Sequence, residues 1–177
     1  MNKAVFLDRD GIINQDGHYV YRPEEFRFME GIFDFCREAK NRGYLLIVFT
    51  NQSGIARGYY TEEDFLSLTR WMCSRFEEQG VPLDHVYYCP YHPEKGIGRY
   101  KTESFDRKPN PGMIMKARDA YDLDLQQSVV LGDKDSDVDA GRNAGVGTLL
   151  LMPGEYGYVQ AEDVHLVSSF SEGICWL

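Results

Sequence analysis

Short apolar runs recur along the chain, each closed by a polar or acidic cluster. Ala4 to Leu7 runs into Asp8, Leu45 to Phe49 into Thr50, and Val129 to Leu131 into Gly132 and Asp133. Uninterrupted apolar runs, as opposed to alternating ones, mark strands covered on both faces. Between them lie segments of helical period. Ile32, Phe35, Cys36 and Ala39 share one face, and Gly43 stands where a helix stops. Thr61 to Asp64 has the form of a capping box, with Phe65, Leu68, Met72 and Phe76 as the apolar stripe behind it. Val86 to Tyr88 reads as a weaker third strand. Asn110-Pro111 reads as a cap and first helical residue, opening a helix through Tyr121. A helix over Ser136 to Asn143 ends at Gly145; Thr148 to Met152 and Val164 to Val167 complete the strands, the last at an edge. Strands alternating with helices predict an α/β fold, an open parallel sheet with helices on both faces. No repeat or Pro/Gly/Ser linker divides residues 1–177, so a single domain is expected.

Composition narrows the function classes. No apolar stretch approaches the roughly 18 residues of a membrane span, and the first residues are too short and too acidic for a secretory signal, so no membrane partner and a cytoplasmic location are expected. Nineteen Lys and Arg against 28 Asp and Glu give a net charge of −9, the opposite of a nucleic-acid footprint. An anionic small substrate would need a local basic pocket against that field. The four cysteines are too scattered for a disulfide framework, and Cys36 and Cys73 fall within helical patterns as small core residues. No helix shows a heptad seam, and a monomer is expected.

In open parallel sheets ligands bind at the carboxyl ends of strands. At the first stands Asp8-Arg9-Asp10-Gly11, whose carboxylates at i and i+2 can face one side of an extended chain. Like charges so close call for a divalent cation or a shared proton. At the second stands Thr50-Asn51-Gln52-Ser53-Gly54, where a hydroxyl, amides and free backbone N–H groups suit phosphate oxygens. Arg107-Lys108-Pro109-Asn110-Pro111-Gly112 follows, its prolines fixing the backbone around Lys108. A lysine at a helix start opposes the dipole, and a bound anion would remove the conflict. At the fourth stands Gly132 to Asp139. Its alternate carboxylates fail as an EF-hand, with Val138 at the required glycine and Ala144 at the bidentate glutamate. Asp133 is the better single metal ligand, whereas Asp135, Asp137 and Asp139 fall in a helix's first turns and read as structural. Singly, these are a solvated turn, a cap and a surface lysine; together they line one sheet edge. Two long loops, Gly11 to Met29 and Cys89 to Arg107, are expected to be functional.

The set resembles the haloacid dehalogenase superfamily, whose four motifs match DRDG, the Thr of FTNQSG, the Lys of RKPNPGM, and GDKDSD. It is most similar to the heptose bisphosphate phosphatase branch, sister of the histidinol-phosphate phosphatases: LDRDGIIN, TNQSGIARGYYTEEDF, YYCPYHPE, RKPNPGM and GDKDSD recur in register over about residues 4–150. The resemblance implies a Rossmann-like fold with no large cap domain, and Mg2+-dependent removal of the 7-phosphate of D-glycero-D-manno-heptose 1,7-bisphosphate. It implies Asp8 as nucleophile and Asp10 as acid and base. Mg2+ would lie among the Asp8 carboxylate, the Asp10 carbonyl and Asp133. Thr50 and Lys108 would hold the transferring phosphoryl oxygens, Lys134 would add a further cation near the phosphate, and Arg107 would help recognise substrate. Asp16, Gly17, His18 and Tyr19, with Asn51, Gln52 and Ser53, would contact the sugar, and Arg57 is a further cation for its second phosphate. Relatives often read DHGY where this loop reads DGHY. Many also bind a structural zinc through Cys-x-His and Cys-x-Cys; the matching positions here are Cys89, Tyr91, Ser104 and Asp106, so structural Zn2+ is not expected. Tyr87, Tyr88, Tyr91, Tyr100 and Phe105 would pack that loop instead. Other readings are a histidinol-phosphate phosphatase, disfavoured by the cations Arg57 and Arg107, and an inactive sugar-phosphate-binding protein, disfavoured by the acid pair. Residues 153–177 carry no functional signal, and Trp176 and Leu177 read as packing.

Overall fold

β1 (Lys3–Leu7), β2 (Tyr44–Asn51), β3 (His85–Cys89), β4 (Val129–Gly132), β5 (Thr148–Leu151) and β6 (Val164–Leu166) form one sheet in the order β3-β2-β1-β4-β5-β6. Every neighbouring pair is parallel. The computed structural model describes all 177 residues. The chain winds outward from β1 to β3, then returns to the other side of β1 for β4 to β6. That reversal opens a crevice at the carboxyl ends of β1 and β4, the usual ligand position in such sheets. Register levels the chemistry there. Leu7 pairs with Val48 and with Leu131, so Asp8, Thr50 and Asp133 all lie one or two residues past the same line.

Successive β1 side chains point to opposite faces, and each face has its own core. Val5 and Leu7 join Leu46, Val48 and Leu131 beneath α1 (Ile32–Asn41) and, later in the chain, α3 (Glu62–Glu78), where Phe35, Leu68 and Phe76 are buried. Ala4 and Phe6 face the other way, to Ile47, Phe49 and Val130 beneath α4 (Gly112–Tyr121) and α5 (Asp135–Ala144), which bury Met113, Ile114, Ala117 and Val138. Each such large apolar side chain stabilises the fold by roughly 1.5–3 kcal/mol. The α3 capping box forms as read: Thr61 Oγ1 accepts from Asp64 N at 3.0 Å, and the Asp64 carboxylate accepts from Thr61 N at 2.9 Å. α5 ends at Gly145 with φ +88°, a conformation open chiefly to glycine.

The boundaries differ in places. α4 starts at Gly112 with Pro111 as its cap, not at Asn110-Pro111, because Asn110 turns its amide to the Ser104 carbonyl at 3.0 Å. β2 reaches back to Tyr44 and on to Asn51, while β6 stops before Val167. Two short helices were not legible, α2 (Ser53–Ala56) directly after β2 and α6 (Phe170–Ile174) near the end. α6 docks Phe170 on Phe35, ring centroids 5.6 Å apart. Trp176 is 42% exposed and stacks on His165, whereas Leu177 packs on the core. Cys89, the last residue of β3, is buried; in the loop that follows, Tyr91 and Tyr100 approach ring to ring at 6.0 Å, and His92 N donates to the Tyr100 carbonyl. Phe105 departs from the expectation of packing: it is 61% exposed, and the adjacent Asp106 instead pairs with Lys116 on α4.

Candidate active site

Asp8 sits at the end of β1, 4% exposed. One of its oxygens, Oδ1, accepts from Lys108 Nζ at 3.0 Å and from the Arg9 amide at 2.8 Å. Lys108 is also buried. Its ammonium donates to Asp137 at 2.6 Å and to the Phe49 carbonyl at 2.9 Å, over the Phe49 ring. Burial works to lower the lysine's proton affinity, but the carboxylates of Asp137 and Asp8 hold it above its ordinary range. Asn51 clamps the backbone that carries it: Asn51 Oδ1 accepts from Lys108 N at 3.0 Å, and Nδ2 donates to Lys108 O at 3.2 Å.

Asp10 lies two residues on, gripped from one side. Its Oδ1 accepts from Arg9 Nη2 at 2.8 Å and Asn14 Nδ2 at 3.0 Å, leaving Oδ2 only a long contact from Gln52 at 3.3 Å. Burial works to raise this carboxyl, and the Arg9 guanidinium beside it wins, holding it below the ordinary value. Arg9 is itself 1% exposed, its charge answered by Asp10 and the Val20 carbonyl.

Asp133 follows β4. Asp8, Asp133 and Asp137 place carboxylate oxygens within 4.8 Å of one another, all buried. Asp137 is spent on Lys108 and on the amides of Asp133 and Lys134, both at 3.1 Å. Asp133 Oδ1 is buried with no partner. Burial first, then the Asp8 charge, push Asp133 up to about 9, and burial with the Asp137 charge pushes Asp8 up to about 6. Lys108, the one lysine bonded to this cluster, and Lys134 beside it do not offset three buried carboxylates, since Asp8 and Asp133 both stay raised. A hard divalent cation on Asp8 and Asp133 would supply the missing charge and a partner for the orphaned oxygen, and oxygen donors are what Mg2+ takes. The Asp10 carbonyl accepts no hydrogen bond from the protein and is free to join them. Gly11, at φ +93°, makes the approach possible: a Cβ there would lie 2.1 Å from Asp133 Oδ2.

Above this floor, which holds a pocket of about 40 Å3, opens a polar cleft of about 150 Å3. Asp16, His18 and Tyr19 reach it from the loop after β1, Asn51, Gln52 and Ser53 from the end of β2, and Lys134 joins floor to cleft. His18 and Tyr19 both hold positive φ, 58° and 60°. Gln52 is buried, donating to Thr50 Oγ1 at 2.9 Å and accepting from the Tyr60 hydroxyl, so it braces Thr50 as much as it lines the cleft. Gly17 packs beside Val20 and lines neither cavity. Arg57 and Arg107 also stand outside both: Arg57 lies over the Tyr19 ring at 5.9 Å, and Arg107 donates to the Tyr91 carbonyl at 3.3 Å.

Sequence reasoning missed four contributors. Asp137 lies in the first turn of α5, where an acid is favourable whichever way it faces, so its inward turn carries no sequence signal. Arg9 and Asn14 fix Asp10, but a charged residue beside an acid pair does not announce burial. Tyr156, from the stretch read as silent, donates to Asp16 Oδ2 at 2.9 Å and carried no sequence signal.

A HAD-hydrolase-like family matches residues 105–171. The chain is 58% identical over 151 residues to the D-glycero-alpha-D-manno-heptose-1,7-bisphosphate 7-phosphatase of Burkholderia mallei, covering 85% of this chain and 80% of that protein. It is 52% identical over 149 residues to the D-glycero-beta-D-manno-heptose-1,7-bisphosphate 7-phosphatase of Vibrio cholerae, covering 84% and 80%. Its fold matches the crystal structure of the D,D-heptose 1,7-bisphosphate phosphatase from B. bronchiseptica complexed with magnesium and phosphate, at a TM-score of 0.83 and 26% identity, over 98% of this chain and 97% of that one.

Proposed function

The chain belongs to the heptose-1,7-bisphosphate 7-phosphatases, within the haloacid dehalogenase-like hydrolases, and on that premise we propose that it removes the 7-phosphate of D-glycero-D-manno-heptose 1,7-bisphosphate through an aspartyl phosphate. The observation that carries the reading is the pair Asp8 and Asp10: one carboxylate is fixed by Lys108 and a backbone amide, and the other is gripped at Oδ1 by Arg9 and Asn14, with only a long Gln52 contact on Oδ2.

In the first step an Asp8 oxygen bonds to phosphorus as the bond from phosphorus to the sugar oxygen breaks. The departing oxygen takes a proton from Asp10, through the Oδ2 that Arg9 and Asn14 leave free. Asp10 is ionised in the ligand-free site, but a phosphate dianion drawn against it raises its proton affinity. In the second step water attacks phosphorus and gives its proton to the same oxygen, and the bond to Asp8 breaks. Lys108 and Lys134 meet the charge spread over the transferring oxygens, Thr50 contributes its hydroxyl, and positioning with cations is most of what such a transfer needs. Asp8, Asp133 and the Asp10 carbonyl would hold Mg2+, which when bound supplies further positive charge at those oxygens. Asp16, His18 and Ser53 face the sugar.

Phosphate release from heptose 1,7-bisphosphate, as each anomer and beside histidinol phosphate, tests this. One phosphate per sugar is expected, at a kcat/KM far above that for histidinol phosphate, with Asp8→Asn reducing kcat by at least about 10³-fold. Preference for histidinol phosphate would overturn the substrate, and turnover by Asp8→Asn would overturn the mechanism.

A further inference from the structure

The segment between β5 and β6 closes one wall of the cleft, and nothing in the chemistry above uses it. It is pinned from behind. The Asp135 carboxylate accepts from Val159 N at 3.1 and 3.2 Å, and Arg142 grips Asp163 through two contacts at 2.6 and 2.8 Å. Gly154 passes so near the floor that a Cβ there would lie 3.7 Å from Asp133 Oδ2. From this pinned segment Tyr156 reaches back across the cleft mouth. Its hydroxyl donates to Asp16 Oδ2, and Lys134 Nζ sits 4.5 Å above its ring.

We propose that Tyr156 is a positioning residue that sets specificity: its hydroxyl orients the Asp16 carboxylate and its ring seats the Lys134 ammonium, giving the sugar a fixed acceptor and a fixed cation. The proposal rests on the sugar-phosphatase reading above. Asp16 shows why an orienting donor matters. A carboxylate has about four acceptor positions. Oδ1 already accepts from the His18 amide at 3.1 Å and Oδ2 from Tyr156. One position on each oxygen then remains, aimed by those two donors, and a pair of neighbouring sugar hydroxyls can use both. Without the tyrosine the carboxylate is free to swing to Lys134, 4.0 Å away, and the two would neutralise each other instead of serving substrate. The phenol stays a donor at every working pH, because burial, then the bond to Asp16, raise it to about 12. The ring attracts the ammonium over its face and keeps it between floor and cleft.

Two variants separate the two jobs. Tyr156→Phe keeps the ring and loses the donor; Tyr156→Leu loses both. For Tyr156→Phe, KM for heptose 1,7-bisphosphate is expected to rise about fivefold to tenfold with kcat changed less than about threefold, and selectivity for it over p-nitrophenyl phosphate to fall by the same factor. For Tyr156→Leu, the competitive inhibition constant of inorganic phosphate is expected to rise about threefold as well, while Tyr156→Phe restores it. An unchanged KM in Tyr156→Phe, or equal losses on both substrates, overturns the proposal. If the wild-type enzyme cleaves p-nitrophenyl phosphate but neither heptose bisphosphate, the substrate reading falls by itself. The phosphate inhibition constant then decides the lysine seat, and no shift in Tyr156→Leu overturns it.

Discussion

Asp133 is one of three clustered carboxylates to which a single lysine, Lys108, is bonded, and it has an oxygen that no protein group meets. The arrangement makes the metal-free protein sensitive to pH in a definite direction. Unfolded, this carboxyl ionises near its ordinary 3.8; folded, burial and the Asp8 charge delay ionisation to about 9. Between those values the native state holds a proton that the unfolded chain has lost, so stability falls as pH rises. In chelator, the melting temperature is therefore expected to drop from pH 5 to pH 8.5, and Asp133→Asn, which carries no charge to lose, to flatten that slope. Excess Mg2+ should flatten it in the wild type. A wild-type slope matching that of Asp133→Asn in chelator would show that the carboxylate cluster is not under strain.

At the scale of elements, what the sequence declared and what it concealed have one physical cause. β1, β2 and β4 are short apolar runs buried on both faces, and their ends, with Asp8, Thr50 and Asp133, were legible because burial leaves no other use for such runs. α3 announced itself by a capping box and a four-residue apolar stripe, Phe65, Leu68, Met72 and Phe76. Lys108 was legible because two prolines follow it directly before a helix start, and Asp137 was not, because an acid in a helix's first turn is favourable whether or not it faces inward. α6 is five residues, too short to show a period, yet Phe170 is buried against Phe35. It follows β6 and packs against α1, on the side of the sheet that holds Phe35. Phe170→Ala is expected to destabilise the protein by about 3 kcal/mol, the cost of a buried aromatic and the cavity it leaves. For a chain of this size that is a fall in Tm of roughly 6–12 °C in a thermal melt. A fall below about 2 °C would mean that α6 rests on the core without supporting it.

At the scale of the whole molecule, the chain carries a net charge of −9, whereas its proposed substrate carries two phosphates. The cations proposed to serve the substrate, Lys108 and Lys134, are interleaved with Asp8, Asp10, Asp16, Asp133 and Asp137, so even the site projects no net positive field. Beyond roughly 8–10 Å the incoming anion meets repulsion, and that range is where salt screens. Within contact distance Lys108 is buried and screened little. The two regimes separate in one experiment. At saturating Mg2+, raising KCl from about 20 to about 200 mM is expected to raise kcat/KM by about twofold to threefold and to leave kcat nearly constant. The sign is the same whether encounter or pre-equilibrium binding limits kcat/KM, because both work against the long-range repulsion. A protein that steers its anionic substrate by an open basic surface shows the reverse slope. A fall in kcat/KM with salt would mean that the bound metal and Lys134 reverse the sign of the field at the cleft mouth, and that the acidic surface takes no part in the approach.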